Sequence, residues 1–565
     1  MSKQYLQDQI TQAAQKALEI KLNHQNIVLE RPKQAAHGDW ATSIALSLAK
    51  ELKAKPRDIA QKIVDSLDLD PSLVAKTEIA GPGFINFTLT SDWLYKELAG
   101  LLTHGSKYGQ SQMGNGKKAQ VEFVSSNPTG PLTIGHGRNA AIGDSLARLL
   151  EATGYQVTRE YYFNDSGLQM KKLAQSVFLR YLQALGKEIV FPEDIYQGEY
   201  IMAIAENCRK AKGDLLTESD LEYFKQSAVA VIFEEIKATM ARMGIVFDVF
   251  YNESDLYQRG EIESTLQTLK DKGLTYENEG AVWFKATQFG AEKDRVLVRS
   301  TGEPTYRLPD IAYHLTKFKR GFDLVIDVFG SDHQATYPDV LAALGALGFD
   351  PSRIDVRIYQ FVTLMRGGEQ VKMSTRKATF VTLDELFDEV GSDAARYFFL
   401  MRRMESHLDF DLDLAKKKSD ENPVFYVQYA HARICSILEH AKEKGVVRAA
   451  GDLLLLKEPE EITLIKSLLE FPELVQGAAL SREPHRIPTY LQELSGIFHN
   501  FYHQHRVVTE DQALSNARLD LCQATRTVIA NGLGLLGVSA PEKMCGFLTS
   551  LSYPSPRGEG RVGSK

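Results

Sequence analysis

The chain has 565 residues, 44% hydrophobic and 25% charged, with a formal net charge of −7. That length is too great for one ordinary domain, and the composition is that of a globular protein with several cores. The acidic balance excludes a global attraction to nucleic acid or acidic membranes, so any RNA site must be a local patch.

Basic runs at Lys317–Arg320 and Lys416–Lys418 are candidates for such a patch, and equally read as solvated faces. The cysteines Cys208, Cys435, Cys522 and Cys545 lie far apart without a C-x-x-C pair. This argues against a thiolate zinc site and a disulfide scaffold, and suits a reducing compartment. The N-terminus lacks the apolar run of a signal peptide, and no segment approaches the ~18 apolar residues of a membrane span. The expected location is the cytoplasm, with no membrane partner.

In chain order, residues 1 to about 110 read as a small α/β unit. The stretch "GDWATSIALSLAKEL" has helical apolar spacing, and "FINFTL" (Phe84–Leu89) alternates as a strand after a Gly-Pro-Gly turn. The Gly-rich segment His104–Lys118 is the best linker candidate. "AQVEFV" then predicts a strand, "RNAAIGDSLARLLEATG" an amphipathic helix and "YQVTREYYF" a second strand, which together make a βαβ unit and a parallel sheet. A charged helical stretch runs to about Gly244. Strands resume at "GAVWFKA", "RVLVRS" and "DLVIDVFG". From about Leu383 the chain reads as almost entirely helical, and 545–565 as a disordered tail.

The stretch "GPLTIGHGRNAAIGD" admits two chemistries. Gly135, Gly137 and Ala140 spell G-x-G-x-x-A, and Glu160 stands about where a ribose-binding acid should, as in a dinucleotide fold. Yet ten residues separate Val124 from Gly135, where a dinucleotide turn is tight. That loop instead concentrates Ser125, Ser126, Asn127, Thr129, Thr133 and His136 ahead of a helix N-terminus, which attracts phosphate through its free N–H groups and dipole. Flanking glycines would let a ligand approach the backbone, and His136 could donate to a phosphoryl oxygen. A capped helix start with a surface histidine is the plain alternative.

A second loop, "GGEQVKMSTRKATFVTLDEL", carries Lys372, Ser374, Arg376 and Lys377. Mobile cations of this kind suit the charge that builds up when a phosphoanhydride breaks. A nicotinamide enzyme has no use for them.

The pair of loops resembles the HIGH and KMSKS motifs of class I aminoacyl-tRNA synthetases. "VEFVSSNPTGPLTIGHGR", "YYFNDSGLQM", "KDRVLVRSTGEPTYRLPDIAYHL", "VKMSTRKATFVTLDEL", "SHLDFDLDLAKKKSDENPVFYVQYAHARI" and "NGLGLLGVSAPEKM" resemble the arginyl-tRNA synthetase family, in its order and up to about Met544. The resemblance implies an α/β fold. A Rossmann-type parallel-sheet catalytic domain (116–382, with insertions near 175–245) would follow a small N-terminal α/β domain that contacts tRNA. An all-α anticodon-binding helical bundle would occupy 383–544.

It further implies that arginine is activated by ATP and passed to the 3′-terminal ribose of tRNA(Arg). Mg²⁺ would arrive with ATP rather than in a dedicated metal site, and the protein would act as a monomer. By resemblance, His136, Lys372 and Ser374 are catalytic, and Thr133, Gly135, Gly137, Asn139, Met373 and Arg376 join them around ATP. Glu122, Ser125, Asn127, His136, Tyr306, Asp310 and Asp332 would hold arginine, whose planar guanidinium matches a carboxylate. Glu122 in an apolar strand points to function, because buried acids are costly unless paired. Asp332, after "DLVIDVFG", reads either as a ligand at a strand end or as a helix N-cap. His37, Trp40, Tyr426, Tyr429 and Arg433 would touch tRNA, with a core position as the alternative for each aromatic.

Two departures stand out. Thr133 replaces the first HIGH histidine and Thr375 the second KMSKS lysine, with Arg376 and Lys377 available as replacement cations. The competing readings are a synthetase for another amino acid and a catalytically silent tRNA-binding protein on the same scaffold.

Overall fold

A computed structural model describes residues 2–22, 27–32, 34, 37–371, 381–446 and 450–544. They form two compact units, one of 1–105, 440–469 and 500–525, the other of 106–439, 470–499 and 526–565. The tail 545–565 and the whole "KMSTRKATF" loop lie outside the described residues.

In the first unit, strands β1 (Leu29–Glu30), β2 (Trp40–Thr42), β3 (Val74–Ala80) and β4 (Phe84–Leu89) form one antiparallel sheet in the order β1-β2-β4-β3. Helices α1 (Ser2–Leu18), α2 (Ile44–Leu52), α3 (Pro56–Asp65) and α4 (Ser91–His104) accompany it. Pro56 at the start of α3 has no N–H to lose there, and Ile59, Ala60 and Ile63 bury one face of that helix. "FINFTL" is a strand with the bounds its alternation predicts.

The second unit is built on a five-stranded parallel sheet of β5 (Lys118–Glu122), β6 (Gln156–Phe163), β7 (Val249–Asn252), and two later strands. Between β5 and β6 runs α5 (Ile134–Ala152); between β6 and β7 run α6 (Gly167–Ala184), α7 (Glu199–Lys212) and α8 (Leu221–Arg242). After β7 come α9 (Glu253–Gln258), α10 (Glu261–Asp271), and three strands, β8 (Thr275–Asn278), β9 (Ala281–Phe284) and β10 (Arg295–Val298). These three pair antiparallel in a sheet of their own, so "GAVWFKA" and "RVLVRS" do not extend the parallel sheet. Then follow α11 (Arg307–Lys319), β11 (Leu324–Gly330), α12 (Tyr337–Leu347) and β12 (Ile354–Tyr359).

The strand order is β12-β11-β5-β6-β7, with every pair parallel. The chain winds one way from β5 and the other way from β11. The C-terminal ends of those two neighbours therefore diverge into a crevice, where ligands bind in open parallel sheets.

The C-terminal part is helical, from α13 (Leu383–Val390) and α14 (Ser392–Leu400) through α15 (Leu412–Lys416), α16 (Pro423–Glu443), α17 (Pro459–Leu469), α18 (Phe471–Ser481), α19 (Arg486–Gln504) and α20 (Gln512–Leu536). Its residues are shared between the two units. The helical run is interrupted once by an unpredicted strand, Leu408–Asp411, which pairs parallel with Val362–Arg366. The boundary between the two units falls inside the expected linker, after Gly105, and the part that follows is a packed turn. A Cβ on Gly114 would stand 2.4 Å from the Tyr155 ring, so only glycine lets that turn close. Among the described residues no helix is long and apolar enough to cross a membrane.

Candidate active site

A cleft of about 860 Å³ opens at the switch point. Its walls come from the segment after β5, the end of β6, the starts of α9 and α11, and the ends of β11 and β12. Of the residues singled out in the sequence, Glu122, Ser125, Asn127, His136, Asn139, Tyr306, Asp310 and Asp332 all line it. Bringing together positions almost two hundred residues apart is the work of the parallel sheet.

The loop after β5 leaves the strand under strain. Val124 (φ 67°) and Ser125 (φ 41°) are consecutive non-glycine residues in the left-handed region. A β-branched residue there costs on the order of 1–3 kcal/mol and persists only where its surroundings impose it. The Val124 N–H donates to Asn139 Oδ1 (2.8 Å), and Tyr161 Oη accepts from Ser126 N (3.2 Å). Ser125 Oγ donates to Glu122 (3.0 Å) and accepts from the Tyr162 N–H (3.1 Å). From the inserted helices, Tyr200 donates to the carbonyl of Thr129 (2.5 Å), and Asn127 donates to Gln169 (2.7 Å).

His136 sits in the first turn of α5. Its Nδ1 accepts from the N–H of Thr133, the helix N-cap, at 3.0 Å. With that lone pair engaged, a neutral ring carries its proton on Nε2 and lines the cleft as a donor. Burial pushes its pKa down to about 4, so the neutral form is the resting one at neutral pH.

The acids differ in how they are satisfied. Glu122 is buried, and Lys317 Nζ (2.6 Å), Tyr313 Oη (2.9 Å) and Ser125 Oγ all donate to it. An ion pair thus explains what the sequence presented as an unexplained buried acid. Asp310, in the first turn of α11, has no hydrogen-bond donor on its carboxylate among the described residues. Burial, reinforced by the like charges of Glu253 and Glu122 against His314 and Lys317, raises its pKa to about 7. Without a donor of its own, its carboxylate is poised for an external cation. Asp332 is 71% exposed and lies at the rim, with a weak 3.8 Å approach to His333. It does not cap α12, which begins at Tyr337 with Thr336 as its N-cap. Tyr306, half exposed at the start of α11, has the Arg307 guanidinium 4.7 Å from its ring centroid.

Other expectations are corrected. Thr133 and Gly135 flank His136 at the N-terminus of α5, whereas Gly137 faces neighbouring helices. A Cβ on Gly137 would stand 2.5 Å from Leu383 and 2.9 Å from Phe399, so this glycine serves helix packing rather than ligand approach. Asn139 is committed on both sides, since its Nδ2 also donates to the carbonyl of Val328 (2.9 Å). It staples β5 to β11, though it still faces the cleft. Glu160 is no ribose ligand; it is fully buried in a two-pronged pair with Arg320 (2.5 and 2.9 Å).

Trp40 is 2% exposed, with the cations of Lys3 and Arg31 against its ring, so it belongs to the core of its unit and not to an RNA surface. His37 is exposed. On α16, Tyr426 and Tyr429 are half-buried against His499 (ring centroids 5.1 and 6.0 Å), and Arg433 donates to Tyr429 Oη at 3.1 Å. Lys372, Met373, Ser374, Thr375, Arg376 and Lys377 lie outside the described residues.

Sequence reading missed Tyr313 and the role of Lys317, as well as Tyr162 and Glu253; the run Lys317–Arg320, read as an RNA patch or a solvated face, instead pairs through Lys317 and Arg320 with buried acids. Tyr313 and Lys317 carried a signal, because Asp310, Tyr313, His314 and Lys317 form one helical stripe. Glu253, which takes hydrogen bonds from Tyr162 (2.9 Å) and Ser166, carried none.

Comparison with known proteins covers most of the chain, up to residue 544 in the family matches. Residues 4–89 match the family described as "Arginyl tRNA synthetase N terminal domain". Residues 97–405 match "tRNA synthetases class I (R), catalytic domain", and 427–544 "DALR anticodon binding domain". The chain is 54% identical to the arginine–tRNA ligase of Desulfotalea psychrophila, over 91% of this chain and 94% of that one. It is 51% identical to that of Salinibacter ruber, over 92% and 96%. The Thermus thermophilus arginyl-tRNA synthetase structure superposes with a TM-score of 0.76 at 25% identity, covering 96% of this chain and all of that one. With this cleft, this sheet order and these matches, the chain belongs to the arginyl-tRNA synthetase family.

Proposed function

We propose that this protein ligates L-arginine to tRNA(Arg) at the expense of ATP, through the cleft at the β5–β11 switch point. The observation that carries the reading is Asp310, a half-buried carboxylate without a donor of its own among the described residues, in a cleft where Glu122 and Glu253 already accept hydrogen bonds. A guanidinium supplies the planar, permanently charged fork that such a group lacks. Tyr306 would pack on the same side chain. Glu122, Ser125 and Asn127 would meet the α-ammonium end, with Asp332 at the rim.

Two displacements follow. An arginine carboxylate oxygen attacks the α-phosphorus of ATP; the bond to the β-phosphate oxygen breaks and pyrophosphate leaves with its electron pair. A ribose hydroxyl at the tRNA 3′ end then attacks the arginyl carbonyl carbon, and AMP departs. Neither step needs a covalent enzyme intermediate, so positioning and charge stabilisation do the catalysis. His136, donating through Nε2, and the N-terminus of α5 would meet the phosphate oxygens. Lys372, Ser374 and Arg376 would close over the departing pyrophosphate, and Thr133 and Thr375 would leave that role to the neighbouring cations. Mg²⁺ would enter on ATP. His37 and the Tyr426, Tyr429 and Arg433 face are the candidate tRNA contacts.

The deciding experiment is arginine-dependent ATP–pyrophosphate exchange with and without tRNA(Arg). Exchange that requires tRNA supports both the ligase and an RNA-completed site. Tight tRNA binding with no exchange would overturn it in favour of a silent binder.

A further inference from the structure

The parallel sheet carries an acid on each of three neighbouring strands at one level. Glu122 of β5 is in register with Glu160 of β6 on one side and Asp327 of β11 on the other. Residues in register across a sheet project to one face, about 4.8 Å apart, and all three of these are buried. Unpaired, such a row would be strongly self-repelling.

Helix α11 crosses that face and brings matching groups at helical spacing. Arg320, just past its end, takes Glu160, and His314 Nε2 lies 3.0 Å from Asp327. Lys317 stands between the remaining pair, donating to Glu122 Oε2 at 2.6 Å and to Asp327 Oδ1 at 2.7 Å. It has no exposed surface, and its ammonium lies 4.4 Å from the Tyr313 ring centroid. Glu122 Oε2 is therefore saturated by Lys317 and Tyr313, whereas Oε1 takes only Ser125 and keeps one acceptor position toward the cleft.

We propose that Lys317 is a positioning residue for amino-acid binding, which pins Glu122 so that only Oε1 is presented to the α-ammonium group of the substrate. The inference rests on the reading of Glu122 given above. Without the ammonium, Glu122 and Asp327 repel, one of them takes up a proton, and the remaining acceptor loses its aim. The guanidinium end meets Asp310, whose carboxyl Lys317 also helps to hold down, so the titrations are run at pH 9, above the Asp310 pKa, where that group is ionised.

The test uses the full-length protein and calorimetric titration with two ligands, L-arginine and 5-guanidinovaleric acid, which lacks the α-amino group. The variants are Lys317→Met and the charge-balanced Lys317→Met/Asp327→Asn, the second guarding against simple misfolding. We expect the folded variants to bind L-arginine at least tenfold more weakly, with guanidinovalerate binding unchanged within twofold and KM for ATP unmoved in the exchange assay. Equal weakening of both ligands, or of neither, would overturn the role of Lys317. Wild-type protein that fails to distinguish the two ligands would instead sink the reading of Glu122, and this inference with it.

Discussion

The Thr133 N–H points at His136 Nδ1, 3.0 Å away, so the helix cap fixes the tautomer of the histidine that faces the cleft. One side of the ring is spent on folding, and the other is left as a donor. A threonine where the family motif has a histidine thus still does its local work through its backbone.

His136→Ala should lower the exchange rate by about 10²- to 10³-fold, the usual loss when one donor to a developing charge is removed. Because burial holds the imidazole pKa near 4, the rate should show no histidine titration between pH 6 and 7 from this residue. A histidine buried neutral binds fewer protons than in the unfolded chain. It therefore costs stability as pH falls from 6.5 toward 4, and thermal melts of His136→Gln should show a shallower decline over that window.

Asp310 should impose the opposite kind of pH dependence, on binding. Its pKa near 7 means that the empty site is partly protonated at neutral pH, whereas a guanidinium needs the carboxylate. Arginine affinity should fall about tenfold per pH unit below 7, and binding at pH 7 should release protons to the buffer. Calorimetry in buffers of different ionisation enthalpy measures the release. Asp310→Asn should abolish the pH slope and weaken arginine by roughly ten- to a hundredfold, corresponding to about 1.5–3 kcal/mol for a charge-assisted contact.

Gly137→Ala tests packing against ligand approach. With Leu383 and Phe399 in the way of a Cβ, the change should destabilise by about 1–3 kcal/mol in denaturant titration. KM for ATP should move little in the protein that remains folded. A large rise in that KM with unchanged stability would restore the ligand-approach reading.

Arg396 is buried at the junction of α5, α14 and the end of α20. It donates to Asp144 at 2.5 Å and to the carbonyls of Met243 (2.7 Å) and Leu536 (2.8 Å). Arg396→Met should cost about 3–5 kcal/mol, since it strands two carbonyls and removes a buried partner from Asp144. The melting temperature reads that loss. A change within the scatter of repeated melts would mean that Arg148 and Arg159, which also pair with Asp144, suffice.

The sequence by itself determined the class of fold and the loops that carry the chemistry. Alternating and helical periodicities are local, and so are the helix start at Thr133 and the polar run Ser125–His136. What only the tertiary structure decided was the partner of each buried group. Glu122 looked like a free acid because the lysine that neutralises it lies 195 residues away in the chain. Glu160 looked like a ribose ligand until the sheet register placed it beside Glu122 and under Arg320. Trp40 and Gly137 looked like contact residues, but whether an aromatic ring or a missing side chain faces solvent or a neighbouring helix depends on long-range packing. Periodicity fixes which residues share a face; it does not specify what that face meets, because pairing free energies between distant groups are set by register and burial.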